Sequence, residues 1–230
     1  MTSADMTRAA RPLFVSPHLD DAVFGCGALI ATCSGALVAT VFAGRPASDL
    51  PLTSWDGECG FRAGDDVVGI RRDEDRQACG LLGARPIWLD YLDDQYGDRP
   101  EVGALTASLD ALVAMHEPEC VFVPLGLFHA DHRRASDAAL ALVESGRHDG
   151  WYAYEDAIYR CIPGEVASRT DTLRGRGYAL VRQHFQADGA AQARKAQAVA
   201  CYRSQLAALA ARPASGDTRA PEAYWGITRA

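Results

Sequence analysis

Two hydrophobic periodicities alternate along this chain. Short, nearly continuous apolar runs, Arg11–Ser16 (RPLFVS), Ala36–Ala43 (ALVATVFA), Arg85–Leu89 and Cys120–Pro124 (CVFVP), predict strands covered on both faces. Between them, Asp21–Thr32, Asp66–Leu82, Val102–His116 and Asp131–Glu144 carry apolar residues at helical spacing. In the second, Val67, Ile70, Cys79 and Leu82 are expected to face a core, while Arg71 to Arg76 crowd charge into its early turns. Strands alternating with helices require parallel crossovers. The predicted class is therefore α/β, a three-layer α/β/α sandwich with a mostly parallel sheet.

Gly44–Asp65 interrupts this rhythm with Pro46, Pro51, Gly57, Gly60 and Gly64, and reads as a long surface loop of the kind that forms lids or binding segments, or as a plain connector. Ala190–Ala211 returns to a helical pattern, Arg212–Ala220 is loop-like, and Pro221–Ala230 closes the chain. With no repeats and no linker, residues 1–230 are expected to form a single domain, long enough to bury about 70% of the unfolded surface.

Composition narrows the function. Twenty-three basic against 30 acidic side chains give a net charge of −7, which argues against a dedicated nucleic-acid binder, because phosphate affinity needs concentrated positive charge. No apolar run reaches the roughly 18 residues that span a bilayer. Met1–Arg11 lacks the apolar core of a signal peptide. The 7 cysteines are irregularly spaced without a CxxC pair, which predicts reduced thiols in a cytoplasmic protein and no cysteine-based zinc site.

Two clusters carry chemistry. The first, Ser16-Pro17-His18-Leu19-Asp20-Asp21, follows the first predicted strand, at the sheet edge where open parallel sheets bind ligands. His18 and Asp21 are three apart and can point the same way, leaving Asp20 beside them. Helix capping by Asp20 or Asp21, with a half-buried His18, is the structural alternative. The second, His129-Ala130-Asp131-His132, follows CVFVP. Two imidazoles three apart can converge, with Asp131 orienting a ring nitrogen; helix capping with surface histidines is again the alternative. Together the clusters offer two histidines and an aspartate with an open position, the donor set of a catalytic zinc.

With these motifs in place, the sequence resembles the LmbE-like, or PIG-L, family of zinc-dependent N-deacetylases, which act on N-acetylated sugars and sugar conjugates. The first motif stands here as Pro17-His18-Leu19-Asp20-Asp21-Ala22, the second as His129-Ala130-Asp131-His132, and a weaker third as Arg71, Glu74, Ala78 and Leu82-Gly83. Smaller echoes are Leu92-Asp93 with Tyr96, Tyr154-Glu155-Asp156, and Lys195 followed by Tyr202-Arg203-Ser204-Gln205. Leu19 replaces a common proline, and Ala22 replaces the glutamate that often follows the aspartate pair.

The resemblance implies a Rossmann-like fold, with His18, Asp21 and His132 binding Zn2+ and Asp20 as general base. It implies that His129 faces the oxyanion, with Asp131 holding that ring and raising its pKa. Arg71 would contact substrate or nearby acidic groups and Asp93 would bind sugar hydroxyls, although Arg71 also suits an i,i+4 pair with Asp75 and Asp93 a turn. The partner would be a small-molecule N-acetylated sugar or glycoconjugate; a homo-oligomer is compatible with the sequence. Specificity is expected in Gly44–Asp65, around Asp93 and in Tyr154–Tyr159. Competing readings are an amidase or hydratase with the same metal site, and a non-catalytic sugar- or nucleotide-binding module. A nicotinamide site is disfavoured because Gly25-Cys26-Gly27 completes no G-x-G-x-x-G; those glycines instead predict close helix–sheet packing.

Overall fold

The computed structural model describes residues 11–97, 99–210 and 215–230; the expectations for 1–10 and for 211–214 lie outside the described residues. Strands β1 (Leu13–Ser16), β2 (Leu37–Thr40), β3 (Arg85–Trp88), β4 (Val121–Pro124), β5 (Trp151–Tyr154), β6 (Tyr178–Gln183) and β7 (Tyr224–Arg229) form one sheet in the order β3-β2-β1-β4-β5-β7-β6. The five strands from β3 to β5 are parallel; Leu13 of β1 sits opposite Leu37 on one side and Val121 on the other. β7 pairs antiparallel with both β5 and β6.

The helices are α1 (Asp21–Thr32), α2 (Ser54–Glu58), α3 (Val67–Leu82), α4 (Val102–His116), α5 (Ala130–Ser145), α6 (Glu165–Gly175), α7 (Gly189–Val199) and α8 (Arg203–Leu209). Alternate residues of the strands face opposite layers. Phe14 and Phe122, stacked at 4.6 Å, join the core under α1, α3 and α7, whereas Leu13, Val15, Val121 and Val123 join the core under α4 and α5. The expected three-layer α/β sandwich is thus present. All residues of β1, β2, β4 and β5 are buried, which is why the first, second and fourth strands read as apolar runs rather than alternations.

Close packing explains the glycine pair in α1. A Cβ at Gly25 would lie 2.8 Å from the Tyr154 ring, and one at Gly27 would lie 2.8 Å from Lys195 Cγ. Lys195, the one lysine of the chain, is buried against Glu222 at 2.8 Å, and Glu222 also accepts the Ala28 and Leu29 N–H groups.

Several expectations need correction. Gly44–Asp65 is not all loop: Thr53 accepts the Asp56 N–H and starts α2. The helical pattern in Ala190–Ala211 is two helices, α7 and α8, because Glu74 accepts both the N–H and the hydroxyl of Ser204 and caps a new helix there. Strands β5 to β7 and helix α6 were not predicted. Among the described residues no helix is long and apolar enough to cross a membrane.

Candidate active site

The sheet reverses its winding at β1. The chain leaves β1 for β2 on one side and returns as β4 on the other, and ligands of open α/β sheets bind at such switch points, beyond the carboxyl ends of the strands. Both histidine clusters lie there. The loop after β1 is tightly held. Ser16 Oγ donates to the His18 carbonyl at 2.6 Å and accepts the Ala22 N–H at 2.9 Å, while Gln205 Nε2 donates to the Leu19 carbonyl at 2.7 Å. Asp20 occupies the N-cap position of α1, yet its side chain makes no capping bond.

Asp21 joins the two clusters. Its Oδ2 lies 3.1 Å from His18 Nδ1 and 3.1 Å from His132 Nε2. That spacing is close to the roughly 3.3 Å separating donors on a tetrahedral zinc. His132 is fully buried, and its Nε2 makes no hydrogen bond. Its Nδ1 lies 2.5 Å from Asp156 Oδ1, the arrangement that fixes a metal-ligating ring with its other nitrogen aimed at the ion. An orphaned buried nitrogen beside a carboxylate and a second imidazole fits a divalent cation. His18, His129 and His132 also bring one donor atom each within 4.8 Å of one another, as do His18, Asp93 and Asp131.

The charges around these rings act on one another. Burial alone would lower the His18 pKa, but the Asp93, Asp131 and Asp21 carboxylates outweigh it and raise it well above normal. Burial likewise opposes charge on His132, yet Asp21 and Asp156 bring it up to about 9. Asp21 is held well below the usual carboxylate range, because His132 and His18 overcome its desolvation. Asp20 moves the other way: burial and the neighbouring Asp21 push it well above that range.

Asp131 departs from expectation. Its Oδ2 lies 3.2 Å from His18 Nε2 and accepts the Asp94 N–H, while Oδ1 accepts from Arg134 at 2.9 Å. His129 is the N-cap of α5, so its Nδ1 instead accepts the Asp131 backbone N–H at 3.2 Å. Its pKa is not raised: burial and the His18 and His132 rings lower it, outweighing Asp131. Asp93 is a turn former, accepting from Gln95 N–H and Nε2, and also stands 3.9 Å from His18 Nε2.

Arg71 does not pair with Asp75. It forms a buried ion pair with Asp56 of α2 at 2.9 Å and donates to Cys59 Sγ at 3.3 Å, leaving Nε buried without a partner. Asp75 instead accepts from Trp88 Nε1 and the Tyr202 hydroxyl. Arg71 and Glu74 of the third motif thus tie α3 to α2 and α8, and the adjacent Asp75 ties it to β3. Arg71, Asp93, Asp20, Asp21, His18 and His129 all line one cavity of about 1210 Å³.

Asp156, visible in the sequence only as the end of Tyr154-Glu155-Asp156, was not expected in the site, yet it backs His132 there. Tyr154 donates to the Val15 carbonyl, and Glu155 accepts from Trp225. Phe128 and Ile158 also line the cavity. Each has positive φ, 53° and 65°. Around each, the next residue's N–H reaches the preceding carbonyl: His129 to Leu127 at 2.6 Å and Tyr159 to Ala157 at 2.8 Å. Such tight three-residue turns are strained in residues with a Cβ, by on the order of 1–3 kcal/mol each.

The family model for GlcNAc-PI de-N-acetylase (PIG-L) matches residues 13–143, more than half of the chain. The chain belongs to this family. Its expected class, an amide-hydrolysing N-deacetylase, holds. No curated protein matches it in sequence. Among solved structures, it is similar to a deacetylase triple mutant of the teicoplanin biosynthetic pathway, with 27% identity, a TM-score of 0.82, and coverage of 96% of this chain and 99% of that one. It is also similar to the A40926 pseudoaglycone deacetylase, with 26% identity, a TM-score of 0.77, and coverage of 96% and 98%. The fold is shared with N,N'-diacetylchitobiose deacetylase from Pyrococcus horikoshii at 22% identity and a TM-score of 0.55, covering 86% of this chain and 71% of that one.

Proposed function

We propose that this chain is a zinc-dependent deacetylase that removes the N-acetyl group from a glucosamine-type unit of a glycoconjugate, with His18, Asp21 and His132 holding the ion. The observation that carries this reading is the buried, unbonded His132 Nε2, 3.1 Å from Asp21 and backed by Asp156. The solved relatives named for teicoplanin and A40926 pseudoaglycone support a glycoconjugate rather than a small free sugar. A zinc ion held there would supply an acidified water and Lewis-acid polarisation of the acetyl oxygen.

The protein groups then perform the proton and charge transfers. Asp20, buried and not engaged in capping, takes the proton of the attacking water and passes it to the departing nitrogen as the C–N bond breaks. Acetate and a primary amine leave. His129, whose Nδ1 accepts the Asp131 N–H, is left with Nε2 as the donor to the developing oxyanion. The Asp131 carboxylate orients His18, while its backbone N–H holds His129. Asp93, which lines the same cavity, would accept from sugar hydroxyls, and Arg71 positions α2 along the cavity wall through Asp56. Residues 1–230 act as one catalytic domain. The cysteines are all free, which suits a reducing, cytoplasmic setting.

The test is release of acetate and primary amine from a panel of N-acetylglucosaminides by zinc-loaded protein. Chelation is expected to abolish release and added zinc to restore it. A zinc-saturated protein that leaves every acetamide in the panel intact overturns the reading.

A further inference from the structure

Two rings lie on the cavity wall just outside the histidines. Tyr159 stands edge-on to His132 at 5.0 Å and nearly parallel to His129 at 6.2 Å. Phe128 stacks on Tyr159 at 5.5 Å with an interplanar angle of 27°. Phe128 is 58% exposed and lines the cavity, so its ring is accessible there. Both rings belong to the strained turns: Phe128 is itself the positive-φ residue, and Tyr159 follows Ile158. Each strained turn is pinned by a carboxylate, Glu165 accepting the Phe128 N–H at 2.7 Å and Asp217 the Ile158 N–H at 2.6 Å. Strain held in place from outside at two adjacent cavity loops points to function rather than accident.

We propose that Phe128 and Tyr159 form an aromatic platform that binds the aglycone of the substrate, and that this aglycone is an aryl group. The sugar end of this assignment rests on the deacetylase reading above. Tyr159 is one ring spacing from His132, within the span of the pyranose that carries the amide. Phe128 stacks on Tyr159 and stays largely exposed, which leaves its ring to meet the group attached beyond that sugar. A flat, stacked apolar pair favours a flat aromatic partner, whose quadrupole adds to the gain from buried area. At about 1210 Å³ the cavity exceeds the roughly 300–1,000 Å³ of ordinary small-molecule sites, leaving room for more than a monosaccharide.

The test compares phenyl and methyl 2-acetamido-2-deoxy-β-D-glucopyranoside, titrated calorimetrically into zinc-loaded protein carrying Asp20→Asn to prevent turnover. The phenyl glycoside is expected to bind about tenfold more tightly, the size of a good aromatic stack. Phe128→Gly is expected to cut that advantage to within twofold and Phe128→Trp to keep it. Glycine suits the positive φ, so the protein keeps its fold; should it not, Phe128→Asn, which also tolerates this backbone, reads the same ratio. Equal affinity for the two glycosides, or a tenfold preference that survives loss of the ring, overturns the platform. A preserved phenyl preference in a wild-type enzyme that releases no acetate instead sinks the deacetylase reading and leaves the platform standing.

Discussion

Asp156 holds His132 from behind. Its Oδ1 lies 2.5 Å from His132 Nδ1, and its Oδ2 accepts the N–H groups of Gly126 and Leu127 at 3.0 and 3.1 Å. The carboxylate therefore fixes both the ring tautomer and the loop that leads from β4 to the second histidine cluster. Gly126 is the one residue type that loop accepts at its bend, since φ is 86° and a Cβ would meet Ser136 Cβ at 2.7 Å.

Replacing this carboxylate separates its two tasks. In Asp156→Asn the amide oxygen can still accept the two backbone N–H groups, but the nitrogen side drives the His132 proton to Nε2. Metal affinity is expected to fall about 10–100-fold with little loss of thermal stability. Asp156→Ala is expected to lose both, with about 1–3 kcal/mol for each stranded backbone donor. Metal titration and denaturant melts of the two variants measure the split.

Asp20 lies outside the proposed ligand set, so chemistry and metal loading should part company there. Asp20→Ala is expected to lower turnover by at least 10²-fold, the usual scale of a general acid–base group, while metal content stays at the wild-type level. Substantial activity in a metal-loaded Asp20→Ala protein rejects the assignment.

The Arg71–Asp56 pair is buried at both ends, with side-chain exposures of 7% and 3%. Arg71→Leu leaves the Asp56 carboxylate with the Tyr96 hydroxyl as its remaining side-chain partner among the described residues, and is expected to destabilise the fold by about 3–5 kcal/mol. Adding Asp56→Asn should recover much of that, because it removes the abandoned charge. Chemical denaturation of the single and double variants checks the coupling; purely additive losses refute it.

Asp217 anchors the Ile158 turn and binds Arg160 at 2.8 Å. Burial opposes its charge, but Arg160 and the Ile158 N–H prevail and lower its pKa below the ordinary 3.8. A depressed carboxylate contributes stability that is complete above its unfolded pKa and is lost as pH falls through the folded one. Asp217→Asn is accordingly expected to weaken the protein at neutral pH and to flatten the acid limb of its stability curve below about pH 4. Thermal melts across pH 2.5–6 show whether the two curves converge.

Legibility in the sequence followed the range over which each residue acts. His18, Asp20, Asp21, His129 and His132 stand in short motifs directly after apolar strands, so their arrival on one rim could be read from β1 and β4 alone. Asp156 and Gln205 could not be assigned in the same way, because each acts on a partner far away in sequence. For Asp131, proximity in sequence misled. Beginning a helix at Ala130 turns its carboxylate across the seam to His18, although His129 is nearer along the chain. The strand Trp151–Tyr154 is aromatic on a short span and lacks the β-branched run that marked the others. Nothing in a sequence announces a phenylalanine at φ 53°.

The neighbouring strands β1 and β4 bring together side chains as remote as His18 and Asp131, which lie 113 positions apart. An unfolded chain offers no such cage, so an ion captured there acts as a clasp over the seam, favouring the folded ensemble by mass action. Every tenfold rise in free zinc above its dissociation constant should add about 1.4 kcal/mol to the unfolding free energy. The melting temperature would thus climb with the logarithm of zinc concentration, making heat resistance a readout of how much metal the surroundings supply.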